Sequence, residues 1–268
     1  MTANKRHIIN EFKRSALNGT PKKTLVTEYK KVYKLNNDEI EWIIEACDFN
    51  TAPEKIDYGK FYNCNITKIA KPIKTDEAQI YCIENFLSPI DCQLLRGFIE
   101  QMATPVVVHT NGAENDERKR QTNIRNSSTT LIDYRFHSFF LEVDRKITLA
   151  MDFHPFLAEA MNGQKYEIGE FYKAHADFFS DAEFKLFGEW SGQRTWTTML
   201  YLNDVEEGGE TEFKHLKLKL KPKEGTLLAW NNLNYDGSPN LKTIHEALPP
   251  KSGKKYIITK IWKSWNLL

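Results

Sequence analysis

The chain has 268 residues, with 37 Lys and Arg against 36 Asp and Glu, and 41% of its residues are apolar. That composition excludes a disordered or collagen-like chain, and a formal charge of +1 gives no global field toward nucleic acid or an anionic membrane. The length suits one large domain, or one domain with a helical extension.

Charge is uneven along the chain. Residues 1–75 carry 14 Lys and Arg against 9 Asp and Glu. There Asn37 is the expected N-cap of a helix with Asp38 and Glu39 in its first turn, where negative charge suits the helix dipole. Ile40, Ile43, Ile44 and Cys47 follow at i, i+3, i+4 and i+7, which makes one apolar face, and Thr51-Ala52-Pro53 is the expected stop. Lys22-Lys23 and Lys30-Lys31 read as wet helix faces. The texture changes near residue 78, so the expected division is a helical extension over 1–77, of no assigned role, and a domain over 78–268. Ile80 to Ile83 is an expected strand, and Ser88-Pro89 opens a helix running through Leu94, Leu95, Phe98 and Ile99. Thr110 to Ser128 is polar and aperiodic, a long loop of the kind that serves as a lid.

The second half predicts strands. Trp196 to Leu202 is β-prone, Leu216, Leu218 and Leu220 alternate with lysines, and Gly225 and Gly253 precede the runs Thr226–Trp230 and Tyr256–Trp262. Turn signals at Gly208-Gly209, Pro222 and Asp236-Gly237 separate them, which points to a sandwich or barrel. No apolar run reaches the ~18–20 residues of a membrane helix. The first residues lack the apolar core of a secretory signal, and Cys47, Cys64, Cys82 and Cys92 form no Cys-x-x-Cys pair. These features predict a soluble cytoplasmic protein with reduced thiols.

One constellation carries chemistry. His175-Ala-Asp177 lies in an aromatic, strand-like stretch, and on a strand residues i and i+2 share a face. An imidazole and a carboxylate side by side, joined by a distant His245, would make the two-His-one-carboxylate face that holds non-haem Fe(II) and leaves positions open. The alternative is a hydrogen-bonded His/Asp pair on a sheet. Lys255, ten residues after His245, begins a strand and could turn into a barrel, where a buried ammonium needs an anion such as a dicarboxylate; its alternative is a solvated lysine beside Lys254. His109, His137, His154 and His215 have no partner at ligand spacing, and Glu206-Glu207 reads as a solvated turn.

Four ordered blocks over roughly residues 78–265 resemble the collagen-type prolyl 4-hydroxylases, iron- and 2-oxoglutarate-dependent dioxygenases. They are Ile83 to Pro89, Tyr166-x-x-Gly169-x-x-Tyr172-x-x-His175-x-Asp177, Arg194 to Val205 with Gly208-Gly209-Glu210-Thr211, and His245 to Lys255 with Pro249 and Gly253. The resemblance implies a mainly β, double-stranded β-helix (jelly roll, cupin-like) core with flanking helices. It implies Fe(II) on His175, Asp177 and His245, and 2-oxoglutarate on Lys255 with the hydroxyls of Tyr166 and Thr211. O2 is the other co-substrate and ascorbate the reductant. The implied reaction converts 2-oxoglutarate to succinate and CO2 while hydroxylating a prolyl residue of a peptide or protein. Arg194 and Arg125 fall at positions that face the peptide in the family. So does Trp262, although it lies one residue further from Lys255 than the pattern has it, and on a strand one residue changes the face. Alternatives are the same chemistry on another side chain, a free amino acid or a small metabolite, and a non-catalytic metal-binding jelly roll. Related nucleic-acid demethylases place Arg where this chain has Lys255, and no general base supports a zinc hydrolase. The sequence leaves the oligomeric state open.

Overall fold

The computed structural model describes residues 8–9, 11–12, 15, 22–46, 56–73, 75–106, 123–133, 136–188 and 191–264. Cys47, the stop at 51–53, His109 and most of the polar loop lie outside them. Helices α1 (Lys22–Tyr33) and α2 (Asn37–Ala46) come first. The cap of α2 is Asn36 rather than the expected Asn37: its Oδ1 accepts from the Glu39 amide while the Glu39 carboxylate accepts from the Asn36 amide, a reciprocal capping box. Leu25, Tyr29, Ile40 and Ile43 from these helices close on Ile8, Ile9 and Phe12 in a cluster of their own.

The short helices α3 (Tyr58–Tyr62) and α4 (Ile66–Ile69) lead into β1 (Lys71–Pro72), which pairs with β2 (Ile80–Ile83). Cys64, Ile66 and Ala70 are buried in the main core, and the Trp196 indole donates to the Phe61 carbonyl. Cys64, Ile66 and Ala70, on the N-terminal side of the expected division at 77/78, thus pack into the main core.

That core is built on two antiparallel sheets. After α5 (Pro89–Met102), β3 (Thr104–Pro105), β4 (Ser128–Ile132) and α6 (Ser138–Met151) come β5 (Met161–Tyr166), β6 (Tyr172–His175) and β7 (Arg194–Tyr201). The last five strands are β8 (Thr211–Phe213), β9 (Leu218–Leu220), β10 (Leu227–Asn231), β11 (His245–Ala247) and β12 (Lys255–Lys263). The large sheet runs β1-β2-β10-β7-β12-β5-β4-β3 and the small one β6-β11-β8-β9. Ser88 caps α5 with Asp91 at N3 and Pro89 in the first turn, as expected. The leucine alternation is shorter than expected: Leu216 ends a 3-10 turn and Lys217 turns left-handed at φ +51°, so only Leu218–Leu220 is strand.

Strand parity sorts the core into two layers. Trp196 and Leu200 of β7, Leu227 and Ala229 of β10, and Ile258 and Trp262 of β12 face α5 and α6. Met199, Tyr201, Leu228, Trp230 and Ile257, their neighbours of opposite parity on each strand, face the small sheet with Tyr166, Phe213 and Ala247. Each fully buried Leu, Ile or Phe contributes about 1.5–3 kcal/mol, so a register slip in β12 would forfeit both layers at once.

Gly225, between β7 and β10, has φ +72°, and a Cβ there would lie 2.4 Å from the Leu87 carbonyl oxygen. Gly225→Ala is expected to lower the unfolding free energy by about 2–4 kcal/mol through left-handed strain and overpacking. Gly97→Ala, inside α5 where nothing lies within 4 Å, is expected to raise it by about 0.5–1 kcal/mol. Urea unfolding of the two variants checks both signs.

Candidate metal and co-substrate site

The site lies between the two sheets. In the small sheet His245 of β11 pairs in register with His175 of β6, which sets the two imidazoles side by side with centroids 4.4 Å apart. Asp177 sits in the bend beyond the end of β6, not on the strand as the i, i+2 reading had it. Its carboxylate still reaches both rings, with Oδ1 3.8 Å from His175 Nε2 and Oδ2 3.8 Å from His245 Nε2. One ligand atom from each residue falls within 4.8 Å of the others.

The supporting contacts fix which atoms face inward. His175 Nδ1 lies 2.8 Å from the Lys173 carbonyl and His245 Nδ1 2.9 Å from the Thr243 carbonyl. A carbonyl only accepts, so each Nδ1 carries the proton and each Nε2 presents its lone pair. The Thr197 hydroxyl on β7 donates to Asp177 Oδ2 at 2.6 Å and in turn accepts from Asn232 Nδ2 at 3.0 Å. The carboxylate is thereby tethered to the opposite sheet. Burial and the neighbouring His245 drive the His175 imidazole down to about 3, which keeps it neutral. Burial would raise the Asp177 carboxyl, but the two histidines and the Thr197 bond outweigh it and hold it below its usual value. Two imidazoles with Nδ1 held by carbonyls and one carboxylate held by Thr197 form a donor set suited to a divalent transition metal.

A cavity of about 320 Å³ opens above these three residues. Lys255, the first residue of β12, is fully buried in it and its Nζ has no hydrogen-bond partner. Its surroundings are the rings of Tyr166 and Tyr201, at 5.4 and 5.7 Å from Nζ. No carboxylate among the described residues is in ion-pair reach, and burial pushes the ammonium down to about 7. An orphaned buried cation beside a His/Asp/His face fits a dianionic metal ligand.

Tyr166 pairs with Lys255 in register, and its hydroxyl donates to Gln164 Oε1 at 2.8 Å. Thr211 Oγ1 accepts from the Tyr201 hydroxyl at 2.8 Å, which leaves the threonine proton to donate. Both line the cavity. Arg194 also lines it, but its fork is taken up by Glu159, at 2.8 and 2.9 Å, with one further contact to the Asp177 carbonyl at 3.4 Å. Arg125 lies over the Tyr172 ring at 4.6 Å and donates to Ser127 and to Gln164. Trp262 is not in the cavity: it is fully buried on the other face of β12, against Phe153, because Lys255, Ile257, Thr259 and Ile261 hold the inward parity. The expectation that Trp262 contacts substrate is corrected to a core residue.

Residues 161–263 match the model of the 2OG-Fe(II) oxygenase superfamily. That stretch is thus similar to the oxygenase domains of that superfamily. It is 26% identical over 197 residues to prolyl 4-hydroxylase 13 of Arabidopsis thaliana, covering 68% of this chain and 70% of that protein. With probable prolyl 4-hydroxylase 9 of the same plant it shares 31% over 193 residues, covering 66% and 65%. The chain thus spans about two thirds of the length of these plant relatives. Among solved structures it resembles a viral collagen prolyl hydroxylase from Paramecium bursaria Chlorella virus-1 in complex with 2OG, at 28% identity and TM-score 0.51, covering 68% of this chain and 94% of that one. The expected jelly-roll oxygenase fold is therefore the observed one. Sequence reading missed Thr197, Asn232, Glu159 and Gln164, which no short motif marks. It also gave no role to Tyr172, whose ring stacks on His175 at 3.6 Å. None of the helices among the described residues is long and apolar enough to cross a membrane.

Thr197→Val removes the donor to Asp177 and strips Asn232 of its acceptor. It is expected to weaken Co(II) binding about 10–100-fold, while Asp177→Ala abolishes it. A titration followed by visible absorption measures both, and an unchanged affinity in Thr197→Val would contradict the tether.

Proposed function

We propose that the protein is an Fe(II)- and 2-oxoglutarate-dependent dioxygenase that hydroxylates prolyl residues in a peptide or protein. The observation that carries this is the conjunction, in one cavity, of the His175/Asp177/His245 face with the partnerless ammonium of Lys255. The kinship with prolyl 4-hydroxylases supports the prolyl substrate.

His175, Asp177 and His245 hold the iron, and Lys255 anchors the distal carboxylate of 2-oxoglutarate. With both bound, O2 converts the co-substrate to succinate and CO2 and supplies the oxidising power that hydroxylates an unactivated C–H bond. Ascorbate keeps the metal ferrous. The chain's own residues set the conditions. The carbonyl bonds at Nδ1 turn each histidine's Nε2 inward, and Asp177 is kept ionised by its neighbours. Thr211 offers a hydroxyl donor beside Lys255, where the low dielectric strengthens a carboxylate pair, and Tyr166 joins it by turning its proton away from Gln164. Glu159 holds Arg194 against the Asp177 carbonyl, which fixes the bend that carries the carboxylate. The free thiols of Cys64, Cys82 and Cys92 favour a reducing, cytoplasmic setting.

Succinate release under air with Fe(II), ascorbate and 2-oxoglutarate, with and without a proline-rich peptide, tests the reading. Peptide-stimulated succinate and a peptide heavier by about 16 Da, one oxygen atom, are expected, with both falling to background in His175→Ala. Lys255→Ala is expected to raise the KM for 2-oxoglutarate by about 30-fold or more, the loss of a charge-assisted bond worth ~2 kcal/mol. Turnover that no proline peptide stimulates would remove the prolyl substrate, and none at all from metal-loaded protein would remove the oxygenase.

A further inference from the structure

The charged groups lining the cavity are Arg125, Glu159, Asp177, Arg194 and Lys255. Four of the five are accounted for once the proposed iron and co-substrate are in place. Asp177 serves the metal, Lys255 the distal carboxylate, and Arg194 has Glu159. Glu159 is in addition shared with Lys263, 3.3 Å away, and so is already bonded on its other side. Arg125 is left. No carboxylate among the described residues pairs with it; its partners are the Ser127 and Tyr166 hydroxyls, the Gln164 amide oxygen and the Tyr172 ring.

Arg125 is also held beside the His175/Asp177/His245 face by its backbone. Residues 124–126 zip onto the start of β6: Lys173 donates to the Ile124 carbonyl, Arg125 bridges to Tyr172, and Asn126 exchanges bonds with Phe171. The guanidinium rests 4.6 Å over the Tyr172 ring, which is itself stacked on the metal-side His175 at 3.6 Å. Its Nε donates to Ser127 at 2.8 Å and its Nη2 to Gln164 at 2.9 Å, the Tyr166 hydroxyl also bonds it, and the donors that remain on the planar fork suit one more carboxylate. An extended peptide advances about 3.3–3.6 Å per residue. A side chain one or two residues from a proline at the metal therefore reaches across these two stacked rings.

We propose that Arg125 is a specificity residue, and that the preferred substrate is a peptide carrying Asp or Glu within two residues of the target proline. This rests on the oxygenase reading above and narrows its substrate class. The wall around Arg125 suits such a ligand: Thr129, Asn162, Gln164 and Thr259 line the cavity with hydroxyls and amides, a surface for a polar segment more than for an unbroken apolar one.

The test uses single-proline peptides identical except for Glu, Gln or Lys beside the proline, on either side. Binding is read by fluorescence anisotropy on the full chain loaded with Mn(II) and 2-oxoglutarate without oxygen. Hydroxylation is read separately, as mass gain with Fe(II) in air. On at least one side the Glu peptide is expected to bind about ten-fold more tightly than the Gln peptide, with Lys weakest, and added NaCl should weaken only the Glu peptide's advantage. Arg125→Gln should level the three and Arg125→Glu invert the order. The salt dependence of the unaltered protein keeps the inference testable should either variant fold poorly. Equal affinities for Glu and Gln peptides on both sides, or a Glu preference that survives Arg125→Gln, would overturn it. Peptides that bind in the expected order without gaining mass would instead sink the prolyl hydroxylase reading and leave the acidic preference standing.

Discussion

A lysine whose ammonium is sealed between two sheets, with no hydrogen-bond partner and no ion-paired carboxylate among the described residues, is expensive to fold around. Nothing in the core needs it, since an apolar residue would fill the same space at lower cost. Parity places it there. β12 starts at Lys255 with the inward phase, and its even residues must face α5 and α6 to bury Ile258 and Trp262. The jelly roll thus delivers an uncompensated positive charge to a cavity whose floor is two imidazoles and a carboxylate. In the proposed reading, metal, dianion and ammonium complete one another there.

The rest of the site follows from how two sheets share it. The small sheet supplies the histidines through a single register pair, and the large sheet supplies Thr197, which pins Asp177 from across the gap. Neither sheet alone carries a complete ligand set with its supports. That division explains why Asp177 can lie beyond the strand end and still meet both rings: its position is fixed from the other side.

Much of this was legible in the sequence because the spacing of His175, Asp177, His245 and Lys255 survives in one dimension. The alternation of β7, β10 and β12 was also legible, since apolar residues with period two declare a half-buried strand. What was not legible depends on contacts between distant segments. Thr197, Asn232 and Gln164 look like ordinary strand residues until the sheets face each other. Glu159 gives no signal before Arg194 arrives 35 residues later. The extra residue between Lys255 and Trp262 did announce its consequence: the indole moved to the core face. The helix at 37–46 was found but its cap was misplaced by one, because Asn36 and Asn37 are equally good caps and only the Glu39 carboxylate chooses between them. The packing of 58–72 was not legible either: α3 and α4 are polar enough to read as an extension, while Ile66 and Ala70 are buried in the main core.

The central claim is that Lys255 waits for a carboxylate, and proton uptake tests it most directly. In the free protein burial holds the ammonium at about 7. A bound carboxylate favours the charged form and raises it again, so binding must take up a proton above pH 7, and affinity must fall as the pH climbs through that value. Calorimetric titration of 2-oxoglutarate into Mn(II)-loaded protein, in two buffers of different ionisation enthalpy, measures that uptake. Close to one proton per 2-oxoglutarate at pH 8, much less at pH 6, and none in Lys255→Met is the expected result. Binding at pH 8 with no proton taken up, or uptake unchanged in Lys255→Met, would contradict it.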